Sequence, residues 1–307
     1  MTRYILVRVF QGILTTLVIV SLIFLLLRLT GDPLNWLVSK NTTAEVRQQI
    51  AANYGLDKPM IVQYGKYLAN IFRGEFGNSF MYKMSAMEVI ASRFPATLEL
   101  SLTGLIIAVI AGILIGVYSA AGRRIIDIAG RGLAFVMMSA PSFVVGMVLI
   151  YIFAVKAKLL PVGGRFSPES VILPAATLSL WVVAGVVRIT RSAMQEVLDS
   201  DYLIFARSKG ISESIIIWKH AFKNASIPII TYIMFLLIVV VSGEVVIENV
   251  FAWPGLGRLT IQAVMARDYP LVQAITLIIV FLFIIMSLIA DIIYVYLNPK
   301  VRYYQKV

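Results

Sequence analysis

The chain of 307 residues has no cysteine and one histidine, His220. The first absence excludes disulfides, thiolate nucleophiles and thiolate metal sites, and the second excludes a paired-histidine metal motif. Charge is scarce as well. Asp, Glu, Lys and Arg make up 14% of the residues, against about 25% in ordinary soluble domains. There is no G-x-x-x-x-G-K-[ST] phosphate loop, no G-x-S-x-G elbow and no H-E-x-x-H pair. No catalysis is expected on this chain, and no cofactor.

What is present is apolar. Hydrophobic residues form 60% of the sequence, in runs long enough to place it among membrane proteins. The formal charge of +11 would suit nucleic acid, but the basic residues lie between apolar runs, where they set orientation instead. No nucleic-acid partner is expected.

Val9 to Leu27 is the first span, too long for a signal-peptide core and followed by RLTGDP instead of a small-x-small cleavage site. Five more are expected at about Leu98–Ala120, Leu133–Val155, Ile172–Ile189, Ile227–Val246 and Leu271–Leu297. The expected architecture is all-α and polytopic, with six transmembrane helices. Residues 1–29 are the N-terminal segment and first span, 30–96 a small external helical lobe, and 97–307 a core with five spans and a cytoplasmic loop at 191–226. In the lobe, Thr42 and Glu45 have capping-box spacing, Gly55 follows as a stop, and a second helix over about Ile61 to Phe72 should end at Gly74. Arg3 and Arg8 precede the first span. Arg123, Arg124 and Arg131, the basic run from Arg188 to Lys223, and the tail with Lys300, Arg302 and Lys306 then share one side, so both termini are expected in the cytoplasm.

The longest polar interruption in the second half is DSDYLIFARSKGISESIIIWKHAFKNASIP, Asp199 to Pro228. Tyr202, Phe205, Ala206 and Lys209 recur at helical spacing, and Gly210 stands where a left-handed residue would end that helix. A second amphipathic piece runs from Ser212, as N-cap, to Asn224, with Ile215, Trp218, Ala221 and Phe222 on one side. Two readings fit: a basic loop resting on anionic headgroups, or a docking helix for a soluble partner.

Within the spans, Gly104, Gly112, Gly116 and Gly146 are small residues of the kind that let membrane helices approach. Pro141 in MSAPSFVVG should bend or break the third span. Glu244 and Glu248, four apart, end the fifth span; from Ile227 to Glu244 is about 25 Å of helix, which places them near the interface and argues against a proton relay. Interfacial carboxylates or a gate both fit. Asp291 and Glu99 read as interfacial, and Arg188 and Arg191 as snorkelling anchors.

The run DYLIFARSKGISE followed by HAFKNASIP resembles the cytoplasmic loop of the dipeptide, oligopeptide and nickel permease family, whose usual wording is near DYVRTARAKGL and RHALRNALIP. The wider superfamily of ATP-binding-cassette importers reads EAA, three residues, G, then I-x-LP. Here Ala206 and Gly210 are kept; Ile204 stands at the acidic position, and Pro228 comes later than the usual Leu-Pro. These departures resemble the peptide branch. GLDKP, FRGEFGNSF, ENVFAWPGLGRL and ARDYPLVQA are similar to segments of the same family, and its frequent PGDP appears as Gly31-Asp32-Pro33.

The resemblance implies a permease subunit of the first importer membrane-domain type in the bacterial cytoplasmic (inner) membrane. It would pair with a homologous second permease as a heterodimer, receive solute from an external solute-binding protein, and bind two cytoplasmic ATPase subunits carrying ATP and Mg. It also implies an ATPase-coupling set of Asp201, Tyr202, Phe205, Ala206, Arg207, Lys209, Gly210, His220 and Asn224. The same likeness, whose wording at the third span is near SIPSF, puts Ser139, Pro141 and Ser142 in a pathway or gate set, which Glu244 and Glu248 join on their spacing and depth. Arg188 and Arg191 match arginines of the family's RLTRSSM and would help hold the loop. Peptides are the first solute expected, with nickel, opines and glutathione behind them. The rival classes are an ion-gradient-driven secondary transporter, which expects an inverted repeat and mid-bilayer carboxylates, and an intramembrane protease, which lacks a serine and histidine pair at membrane depth.

Overall fold

The computed structural model describes residues 2–29 and 43–297. The Gly31-Asp32-Pro33 run, Thr42 and the basic tail from Lys300 lie outside the described residues. The described residues form helices and no strand ladder, only one isolated bridge between Asn78 and Ser85. Among the described residues five helices are long and apolar enough to cross a membrane, six if one bent pair is counted as a single span. The chain forms two compact units, one of Met1–Pro95 with Gly255–Phe281 and one of Ala96–Pro254 with Leu282–Val307.

In the first unit, α1 (Thr2–Leu29) is the first span. Two short helices follow, α2 (Ala44–Tyr54) and α3 (Met60–Phe72). Gly55 ends α2 with φ 67°, the left-handed geometry its lack of a Cβ permits. The first turns of α4 (Ala86–Ala120) pack Ala86, Val89 and Ile90 against Leu256 and Leu259 of α11 (Leu256–Met265) and Leu271 and Ile275 of α12 (Tyr269–Leu297). Asp268, fully buried, opens α12. Its carboxylate accepts from the Ser79 hydroxyl, from the Met81 N–H at 3.0 Å and from the Leu271 N–H at 3.2 Å, so the buried charge is hydrogen-bonded.

In the second unit the central element is α7 (Ile172–Leu198), entered through a 3₁₀ turn, Pro168–Val171. Helices in lipid gain little from apolar burial alone and depend on close packing. Gly104, Gly112 and Gly116 of α4 supply that closeness: a Cβ on them would stand 2.7 Å from Leu178, 2.6 Å from Val186 and 2.6 Å from Thr190 of α7. On another flank of α7, Gly185 receives the Tyr232 hydroxyl of α9 (Glu213–Val241). Phe251 and Trp253, both nearly inaccessible, complete this core, with the Trp253 indole N–H donating to the Ala96 carbonyl at 2.7 Å.

The third span breaks at Pro141, as its sequence leads one to expect, but its start differs. It begins at Arg124, about nine residues earlier than hydropathy suggests, and is two helices, α5 (Arg124–Ser139) and α6 (Ser142–Leu149, continued in π-helical form over Ile150–Lys156), bent by 106°. The residue before a proline is driven to extended backbone, and Ala140 has φ −89° and ψ 128°. Past the break, Gly146 packs against the Phe251 ring.

Gly112→Val should overpack the α4–α7 contact and lower the melting temperature of the detergent-solubilised protein, at a cost of about 1–3 kcal/mol. Gly132→Ala, at a position with nothing within 4 Å, should leave it unchanged.

Candidate functional site

α7 ends at Leu198, and the chain turns through Asp199 and Ser200 into α8 (Asp201–Ser208). Asp201 in the first turn and Arg207 in the last complement the helix dipole. The helix stops in a Schellman motif: the Ile211 N–H donates to the Ala206 carbonyl at 3.4 Å and the Gly210 N–H to the Arg207 carbonyl at 2.9 Å. That geometry requires Gly210 at φ 77°.

One side chain fixes α8 to the rest of the unit. Leu203 is fully buried with Val117 of α4, Met194 and Leu198 of α7, and Ile216 and Ala221 of α9. The opposite face stays open, with Tyr202 46%, Ile204 56% and Phe205 61% exposed and Ala206 half-buried between them.

Polar contacts then tie the helix down. The Asn224 amide donates to the Tyr202 hydroxyl at 2.7 Å and to the His220 carbonyl at 3.2 Å. Arg207 donates to Glu213 at 2.8 Å across the glycine turn, and the Lys209 ammonium lies 4.5 Å from the Phe205 ring centre. Arg207 therefore has an acidic partner within this chain. The second amphipathic piece is continuous with the fifth span, as Glu213–Ile215, π-helical Ile216–Ala221 and Phe222–Val241 follow without a break. Ser212 holds the N-cap position without a side-chain cap bond. Trp218 meets Tyr118 of α4 edge-on at 6.1 Å.

A cluster that sequence reasoning missed lies at the same end of α7. Arg191 is ion-paired within the chain: its guanidinium donates to Asp127 of α5 at 2.6 Å and to Gln195 at 2.8 Å. Asp127 also accepts from Ser119 of α4 at 2.5 Å and pairs with Arg131 at 2.8 Å. One carboxylate thus joins three helices; no local spacing signals it, since Arg191 is 64 positions away. Arg188 is exposed.

The other expected residues lie elsewhere. Ser139, Pro141 and Ser142 form the break between α5 and α6, with the Ser139 hydroxyl donating to the Phe135 carbonyl of its own helix. The fifth span ends at Val241, and after Gly243 at φ 103° Glu244 precedes α10 (Val245–Val250). The two glutamates therefore do not close one continuous span. Glu248 is fully buried in α10, with the Thr97 hydroxyl donating to it at 2.8 Å. Glu99 is partly exposed and paired with Arg165 at 2.7 Å. Asp291 lines a cavity of about 320 Å³ with Thr231, Met234 and Ser287.

Residues 108–303 match the family described as binding-protein-dependent transport system inner membrane component, and residues 1–101 match its N-terminal companion. The chain belongs to this family of inner membrane components. It is a transmembrane permease subunit of a binding-protein-dependent importer. Among relatives of this permease, a glutathione transport system permease protein of Salmonella paratyphi A is 39% identical over 99% of this chain and 100% of its own length. A peptide transport system permease protein of Brucella abortus is also 39% identical, with the same coverage. The fold resembles that of the inward-facing MetNI methionine ABC transporter, with TM-score 0.58 and 16% identity over 69% of this chain and 97% of the other. It also resembles an amino acid ABC transporter crystallised with histidines, with TM-score 0.56 and 20% identity over 68% and 94%.

Replacing Asp127 by Asn should lower the melting temperature of the permease, as should Arg191→Met. The double variant should be less destabilised than the sum of the two, because each single change strands a partner. Thermal unfolding of all four proteins checks this.

Proposed function

We propose that this permease forms half of a translocation route for peptides or a related small solute such as glutathione, and that two separate ATPase subunits, carrying ATP and Mg, drive it. In this reading a homologous second permease completes the route as a heterodimer and an external solute-binding protein delivers the cargo. Both termini lie in the cytoplasm. Residues 1–29 cross the membrane, 30–96 lie toward its outer side, and 97–307 form the permease core with the coupling loop at 191–226.

The observation that carries the coupling part is the two-sided character of α8. Leu203 sits in the core shared by α4, α7 and α9, while Tyr202, Ile204 and Phe205 face outward. A helix anchored on one side and apolar on the other can seat in a cleft of a motor subunit and pass its rigid-body movement to three spans at once. Asp201, Tyr202, Phe205, Ala206, Lys209 and Gly210 form or shape the contact; Arg207, His220 and Asn224 hold it in place through the bonds to Glu213 and Tyr202. The break at Ser139, Pro141 and Ser142, with Glu244 and Glu248, is assigned to the route or its gate.

Reconstituted in liposomes with its partners, a Phe205→Ala transporter should bind its ATPase roughly 30-fold more weakly, as expected for truncating an interface aromatic worth about 2 kcal/mol. Ala206→Arg and Gly210→Pro should abolish ATP-linked uptake with the permease present in the membrane at normal amounts. Uptake at the normal rate in all three would overturn the assignment.

A further inference from the structure

Between α1 and α3, within the first unit, lies a groove of about 420 Å³ lined by Ser21, Phe24, Leu25, Met60, Ile61 and Tyr64. We infer that α3 lies at hydrocarbon depth beside α1, and that this groove takes the acyl chain of a bilayer lipid. The inference goes beyond the transport reading and refines the expectation of a wholly external lobe.

Depth comes from α1. Arg8 and Arg28 stand twenty positions apart, which is about 30 Å of helix and the thickness of a hydrocarbon core, about 30 Å. Ser21 is seven residues before Arg28, so it lies roughly 10 Å below that boundary. At that level α3 is in direct contact with α1: the hydroxyls of Ser21 and Tyr64 are 2.5 Å apart, and the Phe24 ring packs on Tyr64 at 5.3 Å and on Tyr67 at 5.5 Å. The helix carrying Tyr64 cannot be wholly in water while α1 spans the bilayer.

The sides of α3 agree with this placement. Ile61, Gly65, Leu68 and Phe72 fall at i, i+4, i+7 and i+11, one stripe of a helix, and Ile61 is 81% and Phe72 84% exposed. Gln63, Lys66 and Asn70 instead line a separate polar cavity of about 280 Å³ with Glu75, Asn78 and Gln273. An apolar stripe opposite a polar one is the pattern of a helix lying in the plane of an interface.

The groove's chemistry selects its occupant. The Ser21 hydroxyl donates to the Leu17 carbonyl at 2.6 Å, so the short contact with Tyr64 has the tyrosine as donor. Both protons are committed, and what remains along the groove is carbon from Phe24, Leu25, Met60 and Ile61. Such a surface recognises a hydrocarbon chain and offers no free donor to a headgroup or a polar peptide.

The absence of cysteine makes the test direct. Nitroxide labels on Ile61→Cys and Lys66→Cys, in the assembled transporter in liposomes, are read by power saturation with oxygen and with a water-soluble nickel chelate. At Ile61 oxygen should dominate, with a depth of roughly 10 Å, and at Lys66 the nickel chelate should dominate. Nickel access at Ile61, or shielding from both reagents by a partner protein, overturns the placement. For the occupant, phospholipids with a photoactivatable diazirine in the acyl chain should label Leu25 and Met60 as strongly as the lipid-facing Leu22. Labelling of Leu22 alone overturns the groove. ATP-driven uptake in the same liposomes is scored separately, so failure of this inference is distinguishable from failure of the transport reading.

Discussion

The contact between α4 and α7 is the constraint from which the core of this permease follows. In hydrocarbon, water does not drive helices together, so two spans stay in register only where their backbones approach and their side chains interlock. Gly104, Gly112 and Gly116 clear a path down α4 into which Leu178, Val186 and Thr190 fit. With that flank closed, and Tyr232 seated over Gly185 on another, α7 is almost wholly buried from Val182 to Val187 and buried at most positions before that. A helix enclosed in this way has little freedom to slide alone, so a displacement applied to its end is shared with its neighbours.

The end in question is where the polar bonds gather. Arg191 and Asp127 draw in α5 and, through Ser119, α4. Two to three turns further on, Leu203 inserts α8 into an apolar cluster built from α4, α7 and α9. Ionic and apolar ties therefore converge on one rim of the unit, one directional and one not. A push on α8 reaches α9 through Ile216 and Asn224 and reaches α7 through Leu198, without any flexible linker between them. The two-residue turn from Leu198 to α8 is short enough to act as a corner.

How far the sequence disclosed this architecture depends on the range of each interaction. α8 and its stop were legible because a helix face repeats within four residues and a Schellman cap is decided by one glycine, Gly210. The glycine stripe was legible as packing for the same local reason. The third span's break was readable from Pro141, but its start was not, because hydropathy marks the part of a helix inside lipid while hydrogen bonding continues it to Arg124. The burial of two carboxylates was not legible: Glu248 finds Thr97 across 151 positions and Asp268 finds Ser79 across 189. Glu248 read as an interfacial group because depth along a helix was counted and enclosure by another helix was not.

The exposed apolar surfaces of the chain can be sorted by what surrounds them. The face of α8 is small and bordered by charge, with Asp201 at one end, Lys209 at the other and Glu213 beyond the turn. An apolar centre inside a polar rim is the anatomy of a contact between proteins in water. Because Arg207 is committed to Glu213 and Lys209 rests on Phe205, the rim orients the helix within its own chain, and in the proposed coupling the shape of Tyr202, Ile204 and Phe205 is what a partner would read. The stripe on α3 also ends in charge, at Lys58 and Arg73, but along its length it adjoins the exposed apolar flank of α1, and the hydroxyls at its base are already bonded to each other and to backbone. In the proposed readings, two surfaces of similar hydrophobicity suit different surroundings, a protein cleft for one and acyl chains for the other. The difference lies in the polar atoms beside them and not in the apolar residues themselves.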